Sequence, residues 1–202
     1  MKTKRVDTRR MVLLAMLSGI LLVMSFTPLG YLNIGPLAIS LNMIPVAIGA
    51  VALGPGGGAF LGAIFGITSC LQCVGIGGVS AMGVILFEIS PFLTIIQRFA
   101  TRVLAGWLTG VVYRWLHRMH FRVAPFAAGF CAALFNTVFF MTALVLLFGQ
   151  TEYMQELING RNILVFVVTF VGINAVVELL ASTVVVGAVC KALEKLKMVG
   201  GK

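Results

Sequence analysis

The chain has 202 residues, 60% of them apolar and only 10% charged, with 15 Lys and Arg against 6 Asp and Glu for a formal net charge of +9. Soluble domains are ~45–50% apolar and ~25% charged, so this is the composition of an integral membrane protein, and it excludes secreted, disordered and nucleic-acid-binding classes. The basic residues sit in short patches beside apolar runs, where they orient the chain in a bilayer and meet membrane lipid headgroups.

A helix needs ~20 apolar residues to cross a bilayer. Cutting the chain at its charges, prolines and glycine clusters predicts an all-α integral membrane protein with six transmembrane helices, a single membrane domain over residues 1–202. The first span, 11–28, follows a basic start and ends at Pro28; no Ala-x-Ala-like cleavage site follows, so it reads as a helix and not as a signal peptide. Residues 29–40 form an uncharged, turn-rich loop longer than a connection requires, a segment able to act as a lid. The second span, 41–54, is short and borrows from that loop. The third, 56–72, follows Gly54-Pro55-Gly56-Gly57-Gly58 and carries Gly58-x-x-x-Gly62-x-x-x-Gly66, small residues spaced for close helix approach; Gly106-x-x-x-Gly110 repeats the pattern. Both read as packing within the chain. Residues 73–90 are apolar but broken by Gly75, Gly77, Gly78 and Gly83, which predicts an outer loop with a short or re-entrant helix. The remaining spans are 91–115, 123–149 and 162–190. With both termini cytoplasmic, Lys2, Lys4, Arg5, Arg9 and Arg10, then Arg114, Arg118 and Arg122, then Lys191, Lys195, Lys197 and Lys202 all lie inside. Only Arg161 falls in an outer loop, and Arg98 and Arg102 fall within a span.

Catalysis has little to draw on. One Asp, two interfacial His and a few scattered Glu supply no paired carboxylates and no nucleophile with its base, so an enzyme is not expected. Cys70-Leu-Gln-Cys73 has redox or zinc spacing without a second pair, and no nucleotide motif is present; neither metal nor cofactor is expected. The informative residues are ionisable and amide side chains inside spans. A charge at mid-bilayer costs ~2.5–3.5 kcal/mol on insertion scales, so Arg98, Arg102 and Glu178 should face the bundle interior, paired or lining a cavity. At ~1.5 Å per residue from outer ends near Pro91 and Asn162, Arg98 lies ~10 Å deep, Arg102 ~17 Å, Asn174 ~18 Å and Glu178 ~24 Å; Asn136 is midway along the fifth span. The last three spans can therefore bring a guanidinium pair and two amides to one level. A structural Arg102–Glu178 ion pair and an anionic ligand at Arg98 are the two readings. Ala15-x-x-x-Gly19, near the inner end of the first span, suits packing within the chain or docking of another membrane subunit, and spacing does not separate them.

Residues 39–69 read ISLNMIPVAIGAVALGPGGGAFLGAIFGITS, with an Ile44-Pro45 step and a Leu53-Gly54-Pro55 turn. This resembles the second and third helices of the substrate-binding S components of energy-coupling factor (ECF) vitamin transporters, and the agreement in size, span count, first-span motif and extended outer loop covers nearly the whole chain. The resemblance implies capture of a small water-soluble vitamin from outside, between the last three spans and the outer loops, in a prokaryotic plasma membrane. It also implies docking through Ala15 and Gly19 onto a transmembrane coupling subunit driven by two cytoplasmic ATPases, with the whole S component reorienting in the membrane. Gly19 stands where the family often has Ala. The stretch Ile89-Ser90-Pro91-Phe92-Leu93-Thr94, then Arg102 and Gly106-Trp107-Leu108-Thr109-Gly110, looks most like the pantothenate branch, and an Arg suits a small carboxylate. The alternatives are a riboflavin-type substrate stacked on Phe99, Trp107, Phe135 and Phe139, a folate-type substrate, or a stand-alone facilitator or channel. A pore should carry a continuous polar stripe, and the first three spans offer little beyond Ser18, Ser25, Asn42 and Thr68.

Overall fold

The computed structural model describes residues 8–33, 38–78, 80–121 and 123–195. Lys2, Lys4, Arg5, Arg122, Lys197 and Lys202 of the inner basic set lie outside the described residues, as does the middle of the lid loop.

Helix α1, Thr8–Phe26, stops short of Pro28, whose missing N–H and ring oppose helix at and before it. After one 3-10 turn at Pro28–Gly30, strands β1 (Tyr31–Asn33) and β2 (Ala38–Ser40) pair antiparallel, Tyr31 opposite Ser40. Among the described residues the remaining regular elements are all helices. Helix α2, Met43–Leu53, has 11 residues, and Pro45 to Val51 are all buried. At ~1.5 Å per residue it spans about half of a ~30 Å hydrocarbon layer. Apolar on every side, it is a central helix packed against α1 and four later helices.

Gly54 turns the chain with φ 83° and ψ −171°, a conformation that favours glycine, and the Arg114 guanidinium fills the space a Cβ would need. Pro55 then opens α3, Pro55–Cys73, at a position where its absent N–H costs nothing. A short segment with Gly75, Gly77 and Gly78 at positive φ separates α3 from α4, Ala81–Ile89, which Ser80 caps by accepting the Gly83 N–H at 3.3 Å. Helix α5, Pro91–Arg118, follows at once. The α3 glycine stripe meets it backbone to backbone: Cβ atoms at Gly58, Gly62 and Gly66 would strike Gly106, Arg102 and Phe99. The stripe therefore packs within the chain, as its spacing predicts.

Helices α6 (Ala124–Phe148), α7 (Glu152–Ile158) and α8 (Ile163–Lys195) complete the fold. The short α7 is not foreseen from the sequence. Thr151 caps its start, Asn159 ends it in the left-handed region at φ 47°, and Met154 and Ile158 join Leu86, Phe148 and Phe166 in a second small core. Helix α8 is broken at Gly172 (φ 33°, ψ −126°), a departure from helix that the sequence reading treats as continuous.

Polar and apolar groups are distributed inside out. Val23, Phe92, Trp115, Leu146 and Val168 are exposed, whereas Thr94, Gln97, Arg98, Arg102 and Thr109 are buried, the reverse of a water-facing protein. Among the described residues, four segments, Thr8–Phe26, Pro55–Cys73, Ala124–Phe148 and Asn174–Lys195, are long and apolar enough to cross a membrane. Helix α5 is long enough at 28 residues, but its buried face is polar. Helix α2 is too short alone.

Candidate functional site

A cavity of about 370 Å³ opens at the end of the bundle that carries the hairpin and α4. All five residues singled out in the last three spans line it: Arg98 and Arg102 from α5, Asn136 from α6, and Asn174 and Glu178 from α8. The Gly172 break lies just before Asn174 on the cavity wall, so the segment after it leaves the axis of the segment before.

The two arginines are held differently. Arg98, 4% exposed, donates from Nη1 to Ser69 Oγ at 2.8 Å and from Nη2 to Ser80 Oγ at 3.0 Å. A Cβ at Gly83 would collide with that Nη2, so the glycine leaves room for the guanidinium. Arg102, 6% exposed, donates from Nη1 to the Arg98 carbonyl at 2.9 Å and lies over the Phe65 ring at 4.6 Å and the Phe140 ring at 5.5 Å. The aromatic faces hold a cation that has left water. Both Nε atoms are buried without a hydrogen-bond partner, as is Asn136 Oδ1. Buried polar atoms are nearly always bonded, so atoms left open around a cavity are set for a ligand. On Arg102 the Nε edge is open, and that edge of a guanidinium is the one that grips a carboxylate with two parallel bonds.

Glu178 corrects one expectation. The Arg102–Glu178 ion pair is not formed; the carboxylate Oε1 instead accepts the Ser40 backbone N–H at 2.7 Å. The Tyr31 phenol, on the hairpin side of the cavity, is raised above its ordinary pKa by burial, with Arg102 pulling the other way. It therefore stands neutral at the wall. The aromatic residues expected to stack on a flat ring lie elsewhere: Phe99 and Trp107 are 37% and 47% exposed, and Phe135 and Phe139 stack on each other at 5.8 Å. Phe140, not one of those four, lines the cavity.

Residues 9–190 match the family described as "ECF transporter, substrate-specific component". The chain belongs to this family. It is also similar to two named proteins. The "Pantothenate transporter PanT" of Leuconostoc mesenteroides subsp. mesenteroides is 27% identical over 195 residues, 92% of each chain. The "Pantothenic acid transporter PanT" of Lactococcus lactis subsp. cremoris is 26% identical over 199 residues, 92% of this chain and 93% of the relative.

On this substrate-specific component, Ala15 and Gly19 do not line the cavity and are exposed on α1, and a Cβ at Gly19 would meet nothing within 4 Å. The pair does not pack within the chain. Sequence reasoning missed Ser69, Gln72 and Ser80, which also line the cavity. The first was within reach: the Gly58-Gly62-Gly66 stripe continued by three residues arrives at Ser69, on the face that meets α5. Gln72 spans to the Ser25 carbonyl at 2.7 Å, tying the far end of α3 to α1.

Proposed function

We propose that this substrate-specific component captures pantothenate and releases it to the cytoplasm once docked on an ATP-driven coupling module. The observation that carries the reading is the Arg102 guanidinium, buried and clasped by Phe65 and Phe140, with an open Nε edge on a cavity of about 370 Å³. That volume falls in the ~300–1,000 Å³ range of small-molecule sites. Pantothenate offers a carboxylate, a central amide, two hydroxyls and a pair of methyl groups. The carboxylate suits Arg102, the amide suits Asn136, and Phe140 and Met141 give the methyls an apolar wall. The likeness to two proteins named for this vitamin, over 92% of the chain, supports the same substrate.

Arg98 takes a supporting role in this reading, because both of its Nη groups are already spent on serine hydroxyls. Riboflavin is disfavoured by the absence from the cavity wall of the four aromatics that would have stacked on it. The six spans are α1, α2, α3, α5, α6 and α8, with both ends cytoplasmic and the chain in a prokaryotic plasma membrane as one membrane domain. In this arrangement α4, α7 and the hairpin lie at the outer face, where the cavity opens. Ala15 and Gly19 form the docking face for a transmembrane coupling subunit, which two cytoplasmic ATPases drive; the exposure of that face supports the assignment.

The test is mass spectrometry of small molecules retained by the purified protein, followed by titration with pantothenate and riboflavin. Retained pantothenate and saturable pantothenate binding are expected, and tight binding of riboflavin in its place would overturn the substrate.

A further inference from the structure

Among the described residues that line the cavity, the charged side chains are Arg98, Arg102 and Glu178, two guanidinium groups against one carboxylate. Every acceptor that the two guanidinium groups engage among these residues is neutral: the Ser69 and Ser80 hydroxyls for Arg98, and the Arg98 carbonyl for Arg102. The Phe65 and Phe140 rings that face Arg102 carry no formal charge either. Glu178 does not pair with Arg102, its Oε1 accepting the Ser40 N–H instead. The cavity wall therefore holds at least one positive charge in excess, on side chains only 4% and 6% exposed.

That excess cannot be shed. A guanidinium keeps its proton at physiological pH, unlike a buried lysine. Away from water an unbalanced charge is costly, and its attraction for an anion is correspondingly strong. One monoanion balances the count of two cations and one carboxylate. A bound carboxylate supplies it while the ligand is present, and between ligands the same charge still needs a partner. Arg102 is the place for it, since Arg98 has both Nη groups on serines whereas Arg102 makes a single bond and leaves its Nε open.

We propose that Arg102 holds a small inorganic monoanion, chloride by abundance, in the ligand-free protein, and that chloride and the ligand carboxylate exchange at this guanidinium. Affinity for a carboxylate ligand then falls with chloride by mass action, and release of the ligand leaves no bare charge behind. That the exchanging carboxylate belongs to pantothenate rests on the reading above. The chloride site itself rests on the unbalanced charge.

Two measurements test this on the full chain in a non-ionic detergent. First, chloride-35 NMR line broadening is recorded for ligand-free wild type and Arg102→Ala, then for wild type with pantothenate added. Part of the broadening should be lost in Arg102→Ala, and the same part on addition of pantothenate. Broadening that neither the substitution nor pantothenate reduces overturns the chloride site. Second, wild type is titrated with pantothenate and with panthenol, in which a hydroxymethyl group replaces the carboxylate, at low and high chloride. Raising chloride from ~10 to ~500 mM should weaken pantothenate about tenfold by competition and leave panthenol unchanged, because the neutral alcohol does not displace the anion. Equal weakening of both ligands is a general salt effect and overturns the exchange. Wild type that binds no pantothenate removes the substrate reading, while the broadening that depends on Arg102 still decides the chloride site.

Discussion

Arg98 and Arg102 are one helical turn apart and nearly equally buried, yet their surroundings assign them different work. Removing Arg98 would strand the buried Ser69 hydroxyl that it now engages, while Ser80 keeps the Gly83 N–H, and an unsatisfied buried polar group costs about 1–3 kcal/mol. Arg98→Ala should therefore lower the melting temperature along with any loss of binding. Arg102 makes one bond to a helix carbonyl and otherwise rests on aromatic rings, so Arg102→Ala takes away a desolvated charge without orphaning a side-chain partner. Its thermal stability should hold while pantothenate affinity falls roughly 10- to 150-fold, the equivalent of ~1.5–3 kcal/mol for a hydrogen bond to a charged group. Titration and a thermal scan of both variants check this. An Arg102→Ala protein that binds pantothenate as wild type does would return the carboxylate to Arg98.

At the scale of elements, the placement of these arginines depends on how closely α3 and α5 approach. Gly62 sits against the Arg102 backbone carbonyl, so any side chain there pushes α5 away at the level of the site. Overpacking of this kind costs about 1–3 kcal/mol. Gly62→Val should lose both stability and pantothenate binding, a joint loss measured by thermal unfolding and titration. Helix α1 gives the opposite expectation from a similar motif. Because a Cβ at Gly19 meets nothing within 4 Å, Gly19→Leu and Ala15→Leu should leave stability and binding by the isolated protein unchanged. Co-purification with the coupling subunit should be lost, since a branched side chain stands where two helices must meet closely. Survival of the complex in both variants would move the docking face elsewhere.

The molecule as a whole turns many large apolar side chains outward and the guanidinium groups of Arg98 and Arg102 inward, the arrangement that a hydrocarbon solvent favours. Its orientation follows from where the basic patches lie. In a protein whose own cysteines have been replaced, Arg161→Cys, in the exposed segment between α7 and α8, should react with an impermeant maleimide in intact cells. Lys195→Cys, at the end of α8, should react only after permeabilisation. Labelling of Lys195→Cys from outside would reverse the topology.

Much of this protein is written in local sequence. The charge-free stretch from Met11 to Phe87 announces a membrane chain, the prolines at 28, 55 and 91 mark where helices stop or start, and the Gly58-Gly62-Gly66 stripe announces a close helix contact. Each is a short-range statement about solvent, backbone freedom or side-chain size, which one segment can make alone. The candidate site residues were legible for the same reason: Arg98, Arg102 and Glu178 are expensive in hydrocarbon wherever they point, so a role in the interior followed from cost. What each does was decided by tertiary structure. The bond from Ser40 to Glu178 joins residues 138 positions apart, and the serines that occupy Arg98 come from α3 and the approach to α4. The choice between an ion pair and a hairpin contact for Glu178 turns on how far apart folded helices hold the two groups. Whether Ala15 and Gly19 pack inward or face outward likewise depends on which side of α1 the bundle covers. Spacing along a chain carries no such distances, because they are set by packing among segments remote in sequence.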